Sequence, residues 1–120
     1  RGGRLPGDSE RARLRYGDLR IRTFAARATV YRAARLVDAH QGSDGDTANE
    51  CMAAKVMATE TVGRVVDVAI QLAGGEALVE GHPLEAVYRR VRVLRLAEGP
   101  TDVLRANVAR GALELEKGRL

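Results

Sequence analysis

Apolar positions along this chain recur at spacings of three and four over several long stretches, the period of a helix with one covered stripe. From about Ser9 to His40, Ile21, Phe24, Ala28 and Tyr31 step by three, four and three, with Val30, Ala33, Ala34 and Val37 on neighbouring sides. This predicts a first helix with Ile21 and Phe24 inside, interrupted or kinked near its start by Gly17. The turn cluster Gln41-Gly42-Ser43-Asp44-Gly45-Asp46 should stop it. Thr47-Ala48-Asn49-Glu50 has capping-box spacing, so Thr47 is expected to cap a second helix, with Glu50 reaching back. Its stripe runs Met52, Val56, Thr59, Gly63, Val66, Ile70, Ala73, and a second row, Ala58, Val62, Val65, Ala69, Leu72, lies beside it. Two adjacent rows predict a broad buried face within a bundle, with Val56, Val66 and Ile70 in the core. The opposite side carries Glu60, Arg64, Asp67 and Gln71, with Glu60 and Arg64 spaced to pair.

Gly74-Gly75 ends the second helix, and His82-Pro83 starts a third, since proline suits a first helical turn. Leu84, Val87, Tyr88, Val91 and Leu94 form its apolar side, and the helix is expected to run to about Arg92. Gly99-Pro100 breaks the chain, and Thr101 is expected to cap a last helix with the face Leu104, Val108, Ala112 and Leu115. Four helices joined by short turns predict an all-α fold, an antiparallel helical bundle. Residues 1–8, with Gly2, Gly3, Pro6 and Gly7, read as a flexible N-terminal segment, and residues 9–120 as the bundle domain.

Composition narrows the picture. The 120 residues are 45% hydrophobic and 30% charged, a balance that suits one folded globular domain rather than a disordered chain. Aromatic residues are 3%, so the core must be built from Val, Leu, Ile, Ala and Met. No apolar run approaches the ~18 residues of a membrane span. The single cysteine, Cys51, excludes an internal disulfide and a cysteine-based zinc site, and favours a reduced, cytoplasmic setting. The chain opens on Arg1 rather than Met, as expected of a piece of a longer protein.

A net charge of +4 raises a nucleic-acid partner, but acidic and basic residues are interspersed. The densest basic stretch, Arg89, Arg90, Arg92 and Arg95, has only Tyr88 beside it, too little for base stacking. No metal site is expected: His40 and His82 are far apart, and no His-x-x-x-His or Glu-x-x-His spacing occurs.

Two places could carry chemistry, and the residues alone leave each open. Gly74-Gly75 is either an ordinary helix stop or bare backbone that a phosphate or a partner chain can approach. Glu98 is either a helix-start acid favoured by the dipole or a base, since burial against apolar surface moves a carboxylic acid towards neutral pH.

Four motifs in order carry a resemblance: Gln71-Leu72-Ala73-Gly74-Gly75, then Pro83-Leu84-Glu85-Ala86-Val87-Tyr88-Arg89, then Ala97-Glu98-Gly99-Pro100-Thr101-Asp102-Val103, then Ala109-Arg110. With Ala25-Ala26-Arg27, Tyr31-Arg32-Ala33-Ala34 and Ala54-Lys55 upstream, the region from about Asp18 to Ala112 resembles the C-terminal helical domain of the acyl-CoA dehydrogenases. It departs from the family pattern at Ala97, where an aromatic is usual, at Pro100, where Thr is usual, and at Ala77 and Arg90.

The resemblance implies an FAD-dependent oxidoreductase acting on the α,β carbons of an acyl-CoA. Glu98 matches the catalytic base, and Gln71, Gly74, Gly75, Gly99 and Thr101 match positions that meet FAD, the first three that of a neighbouring subunit. It also implies electron-transfer flavoprotein as acceptor. Either a homo-oligomer, dimer or tetramer, or a companion chain would supply the missing domains, and the fragment alone is expected to be inactive. The competing expectation is a non-catalytic helical remnant or oligomerisation module of the same fold.

Overall fold

The computed structural model describes residues 9–40 and 47–116, so the turn cluster after the first helix and the expected flexible segment lie outside the described residues. Among these residues, four helices follow in order: α1 (Glu10–Ala39), α2 (Ala48–Ala73), α3 (Pro83–Val93) and α4 (Thr101–Leu113), with a 3₁₀ turn over Gly75–Leu78. The all-α expectation holds, and the helix ends fall within a residue or two of their sequence signals. Ser9 caps α1 by accepting from the Ala12 amide at 3.1 Å. Gly74, at φ 89°, ends α2. Pro83 opens α3 behind His82, whose Nδ1 accepts from the Leu84 amide at 3.1 Å.

Two expected caps differ. Thr47 makes no side-chain cap on α2, and Glu50 is buried. Thr101 stands inside α4, whose cap position is Pro100, and its hydroxyl donates backwards to the Arg95 carbonyl at 3.1 Å. Gly99-Pro100 falls between α3 and α4, the expected break, at the end of a bonded turn.

Helix α2 is the hub, with α1, α3 and α4 each packed on it. Its central Val66 and its neighbours Ala54, Thr59 and Val68 are buried, and Val56 and Ile70 are half-buried. At the α2–α4 crossing, Gly111 leaves room for the side chain of Asn49, which a Cβ there would overlap. The Asn49 amide donates to the Val108 carbonyl at 3.3 Å.

Helix α1 overturns an expectation. Ile21 is 70% exposed and Phe24 76%. The covered face consists instead of Ala12, Ala26, Ala33 and Leu36, and its alanines let α1 lie close against α2. Of the bulkier stripe, Leu14, Ile21 and Phe24 are exposed, and Tyr31, also exposed, borders an apolar groove against α2. Among the described residues, no large side chain is fully buried. The Cα radius of gyration is 17.9 Å, against about 14 Å for a compact domain of this length.

Candidate functional site

The turn from Leu94 to Pro100 joins α3 to α4 and is fixed from three directions. The Arg95 carbonyl accepts from the amide of Thr101 and from its hydroxyl, both at 3.1 Å. The Val93 carbonyl accepts from the amides of Leu96 and Ala97, both at 2.9 Å. From α2, the Lys55 ammonium donates to the Gly99 carbonyl at 2.8 Å. At the crest stand Glu98 with φ 53° and Gly99 with φ 94°. A left-handed backbone is normal for glycine and costs other residues roughly 1–2 kcal/mol, so the surrounding bonds hold Glu98 in a conformation it would not choose. Its side chain is exposed. Gly99 has a second reason to be glycine: a Cβ there would sit 2.8 Å from Leu104 Cδ2.

Beside this turn, Glu60 joins three elements. Its Oε1 lies 3.0 Å from Arg105 of α4 and 3.5 Å from Arg95 of the turn, whereas the expected partner was Arg64. The basic stretch after Tyr88 is divided in the same way, since Arg89 pairs with Glu85 and Arg95 with Glu60.

The Gly74-Gly75 turn lies at the other end of α2. Gln71, Gly74 and Gly75 are exposed, and a Cβ on either glycine would meet nothing within 4 Å. The turn is open to approach from outside. Lys55, which touches the Glu98 turn, precedes Gln71 by sixteen residues on one helix. At 1.5 Å per residue the two places are about 24 Å apart along α2. The structure thus places the residue that the resemblance matches to the base, and those it matches to a neighbouring subunit's FAD, towards opposite ends of α2.

Gly99 and Thr101 fall with Glu98, where the Gly99 carbonyl is bonded to Lys55 and the Thr101 hydroxyl to the Arg95 carbonyl. Both histidines serve helix ends, since His40 Nδ1 donates to the Leu36 carbonyl at 2.7 Å and His82 caps α3. Cys51 is half-buried in the first turns of α2. Among the described residues, no helix is long and apolar enough to cross a membrane.

Sequence reasoning missed Lys55 as a partner of the turn. A signal existed: the chain has 20 basic residues, and Lys55 and Lys117 are its two lysines.

Comparison with known proteins adds the following. The family model described as acyl-CoA dehydrogenase, C-terminal domain, matches residues 1–113. The chain is 37% identical over 101 residues to acyl-CoA dehydrogenase family member 11 of Homo sapiens, covering 84% of this chain and 13% of that protein. It is 31% identical over 97 residues to acryloyl-CoA reductase (NADH) of Anaerotignum propionicum, covering 81% of this chain and 24% of that protein. It is 41% identical over 64 residues to (R)-benzylsuccinyl-CoA dehydrogenase of Thauera aromatica, covering 53% and 16%. The chain therefore spans about a quarter or less of the length of each of these relatives.

Proposed function

The chain belongs to the acyl-CoA dehydrogenase family, as its C-terminal domain, and from that premise we propose that it serves an FAD-dependent enzyme acting on an acyl-CoA, with Glu98 as the base. The observation that carries this reading is the Glu98 turn. Its glutamate is kept in a left-handed backbone by bonds from α2, the preceding turn and α4, with the carboxylate facing outward. Strained backbone of this kind persists where the surroundings over-determine it, and it concentrates at functional sites.

Glu98 would take the α-proton of the thioester as the β hydrogen leaves with its electron pair. Such a proton is weakly acidic, so the carboxylate must be oriented and, once further domains cover it, desolvated. The hydride acceptor, which no side chain can be, is what a bound FAD supplies. In the reverse direction, which the reductase among the relatives suggests, the same carboxylic acid would return the proton.

Gln71 and Gly74-Gly75 fit the edge of an FAD held by a neighbouring subunit. Their backbone is bare and open, and about 24 Å of α2 separates them from the turn of Glu98. Gly99 and Thr101, which the resemblance also assigns to the cofactor, would hold the turn and meet FAD only through what their bonds leave free. A homo-oligomer, or a companion chain, would cover the outward stripe of α1 and the apolar groove beside it. That groove encloses about 410 Å³ and is lined by Ala26, Val30, Ala58, Val62 and Val65 among others. Electron-transfer flavoprotein as acceptor and a cytoplasmic setting complete the reading.

The test is Glu98→Gln in the flavoprotein that carries this domain. Flavin absorbance should be retained while turnover of acyl-CoA falls about 10²–10⁴-fold. Near-normal turnover would move the base to another element. The second reading, an oligomerisation module without catalysis, draws on the exposed Ile21 and Phe24. It would be favoured if the parent protein formed a stable oligomer without any flavin spectrum.

A further inference from the structure

We propose that Lys55 is a positioning residue for Glu98, acting through the Gly99 carbonyl; this rests on the reading of Glu98 as the base. Lys55 stands two turns into α2, and its ammonium reaches across 44 residues of sequence to the Gly99 oxygen at 2.8 Å. That bond fixes the peptide plane immediately after Gly99. With the Thr101 bonds to Arg95 on the far side, it leaves the left-handed backbone at Glu98 little room to relax. The direction of the Glu98 side chain follows from that backbone.

The residue type suits the task. An ammonium is a compact donor that can address one carbonyl end-on, whereas a guanidinium presents a rigid planar fork suited to paired acceptors. This chain uses arginine for the charges that meet carboxylates, Arg95 and Arg105 on Glu60, Arg89 on Glu85 and Arg22 on Asp18. It places a lysine where the partner is a single backbone oxygen. Nothing in the ion pairs around Glu60 needs Lys55, so its bond to the turn is separable from them.

The experiment is a double-mutant cycle in the flavoprotein that carries this domain. It is assayed with the fastest-turning member of a panel of straight-chain, branched and aryl acyl-CoA thioesters. Lys55→Met keeps the aliphatic stem and removes the donor. Flavin content, helical circular dichroism and KM should stay within about twofold of the parent. The kcat should fall on the order of 10–100-fold, as expected when a reacting group is misplaced by about an ångström. Glu98→Gln should be worse, and the double variant no slower than Glu98→Gln alone, because Lys55 acts only through Glu98.

Lys55→Gln, too short to reach Gly99, is read in the same way if the methionine variant folds poorly. Normal kcat for both Lys55 variants beside an inactive Glu98→Gln overturns the positioning role and leaves the base in place. A double variant that multiplies the two losses also overturns it, since Lys55 would then act elsewhere. Normal turnover of Glu98→Gln removes the base reading, and the positioning role falls with it.

Discussion

The two ends of α2 are built on opposite plans. At its N-terminal end the Glu98 turn is bonded from α2, from α4 and from within itself, and a glutamate is held where glycine would be at ease. At its C-terminal end the Gly74-Gly75 turn has open space around both glycines and an exposed glutamine one turn back. One end fixes a side chain of its own. The other keeps its backbone bare so that something else can come near. A chain that carried one complete site would be expected to gather these features together, and their separation along one helix suits a domain that contributes to two sites.

That contrast can be broken or sharpened by glycine substitutions. The largest effect on folding is expected from Gly99→Ala, which combines a left-handed backbone with a Cβ only 2.8 Å from Leu104. A loss of about 2 kcal/mol or more should appear in urea unfolding. Gly74→Ala has the space but not the backbone, since φ 89° with ψ −169° is a region that essentially only glycine enters, and should cost about 1–3 kcal/mol in the same measurement. Gly75→Ala has both, so unfolding should move by less than about 0.5 kcal/mol, while a flavin titration of the parent protein should show weaker binding. Equal effects at all three glycines would erase the distinction between a fixed end and a receiving end. Phe24→Ser should be the mildest for the chain itself, within about 0.5 kcal/mol, because the ring is 76% exposed. In the parent protein it should shift size-exclusion elution towards smaller species.

Much of this was legible in the sequence. Gly74 and His82-Pro83 mark helix ends through local bonds that depend on a few adjacent residues, and these signals held. The double row on α2 located the hub because a central helix is covered on several sides. On α1 the same periodicity misled. Spacing identifies a face and hydrophobicity ranks it, but neither says what covers it. Hydrophobicity ranks the bulkier stripe through Ile21 and Phe24 as the core, while α2 receives the alanine stripe through Ala26 and Ala33, where the backbones can approach.

The site was legible only as motifs. That Glu98 is left-handed, that Lys55 holds the next residue, and that Thr101 donates backwards are consequences of α2 and α4 meeting. No window of the chain contains both partners of the lysine bond. Glu60 shows the same limit: its neighbour at i+4 was the natural candidate, and the pair that forms lies 45 residues away at Arg105.

The bonds that close the N-terminal end of α2 also have a consequence for the order of assembly. Asn49 meets Val108 across 59 residues and Lys55 meets Gly99 across 44, whereas α2 and α3 are joined by a short link and can dock early. Closing the longer loops carries a larger entropy cost, which contacts made late must offset. The Glu98 turn should therefore acquire its shape in the last stage of folding, when α4 returns to the start of α2. Pulse-labelled hydrogen exchange should find the Thr101 amide protected after those in the middle of α2.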